Sequence, residues 1–263
     1  MDEQEQVLLE IKNLSVSYKK MFRENRVLDN VSCKIYRHKI TIILGRNGSG
    51  KSTLLKTVSN ASENGFSRKI RLAPGSEILF RGKNILRGAE GYDKAACDAF
   101  RKLTAYSIQT DDVEYYEKNA TFREALLNAF DVPTGDTEEK TDRIIGYFNV
   151  RDIADKRIKE LSGGQLRLLS IMECLVQDDK QLYLVDEPYN DLDEDKARRV
   201  SNYIMDLYNE RPEVAVVIVT HCKKILNTRD QVNAYAIEDG KMRECGYSHV
   251  LCLGGIEGDK YIL

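Results

Sequence analysis

Hydrophobic positions along the chain follow two periods. Short apolar or alternating runs stand at 7–11, 14–18, 27–28, 31–36, 40–44, 77–80, 104–108, 181–185 and 214–219, and they predict strands. Three- and four-residue steps predict helices: Ala95, Ala96, Ala99 and Phe100 within 89–103; Leu168, Leu169, Met172 and Val176 on an amphipathic helix; Ala197, Val200, Ile204 and Leu207 on a helix from about Asp193. Lys12-Asn13 reads as a turn between the first two strands, and 19–26 as a polar hairpin tip. Asp239-Gly240 is the turn of a hairpin between 234–237 and 241–244. From 110 to 161 strand signals are missing. Thr121-x-x-Glu124 has the spacing of a helix capping box, and Pro133-Thr134-Gly135 breaks the chain. A second helix there puts Ile144, Ile145 and Phe148 on one face. Strands alternating with helices predict an open α/β sheet with its ligand outside the strands' C-terminal ends. An antiparallel β layer precedes it and a helical subdomain, about 110–178, is inserted, all within one domain spanning 1–263.

One stretch carries specific chemistry. The β-branched run Ile40–Leu44 meets Gly45-Arg46-Asn47-Gly48-Ser49-Gly50-Lys51-Ser52-Thr53 and opens into Leu54-Leu55-Lys56-Thr57-Val58. That is strand, loop, helix with the P-loop spacing G-x-x-x-x-G-K-[ST]. The glycines let backbone N–H groups turn inward, and the helix presents its positive end to the same point. Lys51 supplies a charge for the β/γ-phosphates, and the Ser52 hydroxyl can ligate Mg²⁺. A glycine-rich turn alone would merely join a strand to a helix. The full spacing in this context predicts a nucleoside-triphosphate site. Asp186 and Glu187 end the apolar run 181–185 and would lie beside that loop. Neighbouring strand residues point to opposite faces, so Asp186 is assigned to the metal and Glu187 to the attacking water.

Composition removes other classes. Basic and acidic side chains nearly balance, 40 against 42, so no net charge points to nucleic acid or anionic lipid. No run of eighteen apolar residues exists, and the acidic start Met1-Asp2-Glu3-Gln4-Glu5 is unlike a signal peptide. The cysteines are scattered without a C-x-x-C pair, which favours reduced, buried thiols over a metal site. A soluble, intracellular chain is expected.

With Leu161-Ser162-Gly163-Gly164-Gln165 the sequence resembles the ATP-binding-cassette (ABC) ATPases over nearly its whole length. That stretch matches the family signature, and Asp186-Glu187-Pro188 follows at the family's distance. Gln109 matches the Q-loop, Asn190-Asp191-Leu192-Asp193 the D-loop, His221 the switch histidine and Tyr18 the adenine-stacking aromatic. The resemblance implies a P-loop NTPase (RecA-like) core that binds ATP and Mg²⁺ and hydrolyses ATP in a head-to-tail dimer. Each ATP would lie between 45–53 of one copy and Ser162, Gly163, Gly164 and Gln165 of another, with Asp193 also at the nucleotide interface. Glu187 would polarise water, His221 would contact the γ-phosphate, and Gln109 would join Ser52 and Asp186 at the metal and relay to a partner. The implied partners are separate membrane-spanning transporter subunits, which place the chain on the inner face of the cell membrane, and a second ATP-binding subunit. The acids Asp111, Asp112, Glu114 and Glu117 with Tyr115 and Tyr116 suggest that the partner docks a basic or aromatic-seeking helix there. An ABC ATPase that powers a soluble assembly machine is the alternative. Three positions depart from the commoner family pattern: Asn190-Asp191 for Ser-Ala, Cys222 for Asp after the histidine, and Arg46 for a proline. None removes a catalytic group.

Overall fold

The protein is described from a computed structural model, covering residues 6–20, 23–61, 70–107, 119–130, 134–221 and 232–245. Gln109, the 111–117 acidic and tyrosine cluster, Pro133 and Cys222 lie outside these residues, so the expectations placed on them do too.

Strands β1 (Val7–Lys20), β2 (Arg23–Tyr36), β3 (Ile40–Leu44), β4 (Ile70–Leu72), β5 (Glu77–Phe80), β6 (Lys83–Asn84), β7 (Thr104–Tyr106), β8 (Leu182–Asp186), β9 (Ala215–Thr220), β10 (Val232–Glu238) and β11 (Lys241–Cys245) form two sheets. Helices are α1 (Lys51–Asn60), α2 (Lys94–Leu103), α3 (Phe122–Asn128), α4 (Thr137–Tyr147), α5 (Gly163–Leu175) and α6 (Glu194–Glu210).

The first sheet is antiparallel, in the order β2-β1-β5-β6 with β4 also on β1. Its two leading strands correct the sequence reading. The four runs before Ile40 are two long strands, and their ladder runs on through most of the stretch expected as a polar tip, as far as Lys20 opposite Arg23. Lys12-Asn13 does not turn the chain. Asn13 takes a left-handed φ of 51° at a register shift between Ile11 and Leu14, and the ladder resumes beyond it. The helix expected over 89–103 starts only at Lys94, where the Asp93 side chain accepts the Ala96 N–H.

The second sheet runs β11-β10-β3-β9-β8-β7, parallel from β10 to β7, with β11 antiparallel at the edge. Its central strands are buried on both faces, as all-apolar runs require. In β9, Val216 and Ile218 enter one core while Ala215, Val217 and Val219 enter the other. In β8, Tyr183 and Val185 oppose Leu182 and Leu184 in the same way. The first core joins the sheet to Phe122, Leu126, Ile145, Phe148 and helices α5 and α6; the second joins it to α1, α2 and the antiparallel layer. Helix α5 differs from its amphipathic reading. Leu166 through Met172, Cys174 and Leu175 are all buried, so it is covered nearly all round, Arg167 included.

Candidate active site

The sheet order sets β3, β9 and β8 side by side, so the loops at their C-terminal ends converge. After β3, Gly50 caps α1 at φ 108°, a backbone that excludes a side chain on its own account. A Cβ there would also stand 2.7 Å from Leu28 Cδ2 of the antiparallel layer. Lys51 follows as the first helical residue. Its ammonium donates to the Gly45 carbonyl at 2.8 Å and the Arg46 carbonyl at 3.1 Å. Arg46, Asn47 and Gly48 stand at the crest of the loop, Ser49 is buried, and Ser52 and Thr53 are half-buried.

After β8 come the two carboxylates. They diverge, but not by strand alternation as expected. Asp186 is the last strand residue, and Glu187 turns out of the strand at a left-handed φ of 45°. The Glu187 N–H donates to the Val219 carbonyl at 2.7 Å, which fixes this turn against β9. Its carboxylate is buried; Oε1 lies 3.5 Å from Lys51 Nζ and 2.9 Å from His221 Nδ1, while Oε2 accepts the His221 backbone N–H at 3.1 Å. His221, just past β9, is exposed. Lys51, Glu187 and His221 therefore form one connected group, drawn from three neighbouring strand ends.

Asp186 is 0% exposed, and neither of its carboxylate oxygens completes a hydrogen bond. Burial pushes its pKa up. The nearby Ser52 hydroxyl and the charges of Arg167 and Lys51 pull the other way, and Glu187 adds to the rise. Its own N–H donates to Ser107 Oγ just past β7, at 3.0 Å, which anchors the strand end. An ionisable carboxylate held dry beside a hydroxyl is costly for a resting protein and suits a hard cation. Mg²⁺ takes few protein oxygens and keeps water and phosphate ligands. Ser52 and Asp186 are the residues here that would hold the ion.

The signature residues begin α5. Ser162 is its N-cap: Ser162 Oγ accepts the Gln165 N–H at 3.3 Å, and Gln165 Oε1 accepts the Ser162 N–H at 2.9 Å. Gly163 is exposed with open space beside it, whereas a Cβ on Gly164 would stand 2.7 Å from the Asp191 carbonyl oxygen. Asp193 caps α6, accepting the Lys196 N–H at 2.9 Å and its ammonium at 2.8 Å. Those bonds hold its pKa below the usual carboxylate range. Tyr18, half-buried, stands opposite Asn25 of β2 and Ile70 of β4. No hydrogen bond or ion pair among the described residues joins Ser162–Gln165 or Asp193 to the loop 45–53 of the same chain. Sequence reasoning missed Ser107 and Arg167. The signal for Arg167 was a charge set inside the apolar stretch Leu166 to Met172.

The pattern of the ABC transporter family matches residues 28–190. A phosphate import ATP-binding protein of Spiroplasma kunkelii is 31% identical over 223 residues, covering 81% of this chain and 75% of its own length. A probable iron chelatin transport ATP-binding protein of Helicobacter pylori is 29% identical over 243 residues, covering 90% of this chain and 86% of its own. Among solved structures, a dimeric ATP-binding cassette in a post-hydrolysis state with ADP and Pi superposes with a TM-score of 0.72 at 20% identity, over 90% of this chain and 98% of that one. A nucleotide-free cassette from an ABC transporter gives 0.67 at 21%, over 94% of each chain. At those identities the likeness speaks for the fold, a P-loop NTPase core beneath an antiparallel layer. Pattern, relatives and fold agree: this chain belongs to the ABC transporter family.

Proposed function

We propose that the chain is the ATP-binding and ATP-hydrolysing subunit of an ABC transporter, and that it energises separate membrane-spanning subunits. The observation that carries this reading is the group Lys51–Glu187–His221 beside the dry carboxylate of Asp186. It has the parts that phosphoryl transfer needs: a cation for the phosphates, a carboxylate that can orient water, and oxygen donors for a metal. The transport reading is supported by relatives named as transport ATP-binding proteins. No helix among the described residues is long and apolar enough to cross a membrane.

In the resting chain the Lys51 ammonium is shared between loop carbonyls and Glu187. An incoming triphosphate offers it a stronger anionic partner, so Lys51 moves to phosphate and Glu187 is left to His221 and to water. The imidazole, at 2.9 Å from Oε1, holds that carboxylate in place while it accepts a proton from the attacking water. Mg²⁺, when bound through Ser52 and Asp186, offsets the charge that develops on the phosphoryl oxygens. The amides of Gly163 and Gly164 at the start of α5 suit the γ-phosphate of a nucleotide held by a second copy, with Gln109 sensing the metal. ATP then closes a two-fold dimer because it touches both copies, and hydrolysis removes that contact.

The test is ATP turnover by the purified chain in Mg²⁺ and in EDTA, wild type beside Glu187→Gln. Mg²⁺-dependent turnover that falls by about 10²–10⁴-fold in the variant, with nucleotide still bound, supports the reading. A wild type that stays idle with its membrane partner restored would sink it.

A further inference from the structure

Arg167 is the one arginine buried within α5, and the mechanism of hydrolysis gives it no task. It follows Gly164 by three residues, so both share the helix face that meets the Asp191 carbonyl. The side chain is 5% exposed, and a guanidinium stays charged in any protein environment. A buried cation is costly unless anions face it. Helix α5 packs on β7 and β8, which brings three carboxylates near this guanidinium: Asp186 at the end of β8, Glu187 just beyond it and Asp191 in the D-loop; the Tyr106 phenol at the end of β7, kept neutral by burial, lies there too. Lys51 is the other buried cation at the same carboxylates, so two cations balance Asp186 and Glu187.

We propose that Arg167 is a positioning residue for phosphoryl transfer: a fixed cation on the signature helix that balances Asp186 and Glu187 and ties their placement to Gly164 and the D-loop. It need not touch nucleotide. Its charge lets a triphosphate approach two buried carboxylates, and its place on α5 makes their geometry depend on the helix that begins at Ser162.

The proposal rests on the ATPase reading, and the two fail differently. A non-hydrolysable ATP analogue is titrated into wild type, Arg167→Met and Arg167→Lys, with Mg²⁺ and in EDTA. Without Arg167 the bare carboxylates repel the metal-free nucleotide more than its Mg²⁺ complex. The ratio of metal-free to Mg²⁺-complex dissociation constants should therefore rise about tenfold in Arg167→Met. It should stay within about threefold of wild type in Arg167→Lys, which keeps the charge. A merely structural arginine would weaken both forms alike and leave the ratio unmoved. An unmoved ratio in folded Arg167→Met, or a Lys variant that behaves like the Met variant, overturns the proposal. Should Arg167→Met not fold, Arg167→Gln takes its place under the same two criteria. Wild type that binds no nucleotide overturns the ATPase reading, and this proposal with it.

Discussion

Two buried groups at the site are set up in opposite ways. Glu187 is paired, with Lys51 at 3.5 Å and His221 at 2.9 Å; Asp186 is not hydrogen-bonded at either oxygen. Removing one member of a buried pair strands the other. Lys51→Met should therefore destabilise the nucleotide-free chain by about 3 kcal/mol, and adding Glu187→Gln should recover part of that loss, read as a non-additive double-mutant cycle in urea. Asp186→Asn should do the reverse, raising the nucleotide-free unfolding midpoint by about 2–4 °C while ending turnover. The sign follows from the direction of its shift. Burial raises the Asp186 pKa, so the folded chain binds this proton more tightly than the unfolded one. The resulting penalty is full above the folded pKa and is relieved as pH falls through it toward the unfolded value. The advantage of Asp186→Asn should accordingly shrink on acidification; one that grows would assign the stabilisation to something other than the carboxylate's charge.

At the scale of elements, short-range signals are legible in the sequence and their exceptions are not. The strand, loop and helix around Lys51, the capping box at Thr121 and the Asp239-Gly240 hairpin all stand where spacing puts them, because each is fixed by contacts within a few residues. Asparagine favours turns, yet at Asn13 a ladder already paired on both sides absorbs one left-handed residue as a bulge. Strand alternation misplaces Glu187, because its left-handed φ sets that rule aside. The sequence shows a charge at Arg167 inside an apolar stretch but not what surrounds it, because Asp186, Glu187 and Asp191 belong to a later segment that reaches it only through packing. The contact between α5 and the D-loop is hidden too, since only a folded backbone sets the Asp191 carbonyl against Gly164. That contact can be tested. Gly164→Ala must push Asp191, a residue already at φ 60°, and overpacking of this kind costs about 1–3 kcal/mol. Since Asp191 leads directly into the α6 cap at Asp193, turnover should fall along with stability. Turnover at the wild-type rate from Gly164→Ala would show that the D-loop tolerates displacement.

At the scale of the whole molecule, the neighbouring Gly163 is the position at which the proposed two-copy closure can be tested apart from the chemistry of one chain. It is exposed, no atom stands within 4 Å of a Cβ added there, and it takes the first helical position of α5. Within a single chain, Gly163→Ala therefore meets no clash and replaces the poorer helix former; stability should hold or rise by about 0.4–1 kcal/mol. Nucleotide binding at the loop 45–53 of the same chain should also be unchanged, because no hydrogen bond among the described residues joins that loop to Gly163. Only if Gly163 faces a nucleotide carried by a second copy does its added methyl matter. The decisive comparison is Glu187→Gln against Glu187→Gln/Gly163→Ala in ATP and Mg²⁺, with mass in solution followed by light scattering. The first should accumulate as an ATP-dependent dimer, and the second should remain monomeric while binding ATP as tightly. A double variant that dimerises as readily as the single one would move the γ-phosphate contact away from the start of α5, and the closing step would then need a different surface. A double variant that loses ATP as well would place Gly163 beside the nucleotide of its own chain, and a two-fold sandwich could not then be the closed state. The space beside Gly164 is already filled by the chain's own D-loop while that beside Gly163 is open, so the comparison puts the two-copy reading on Gly163 alone.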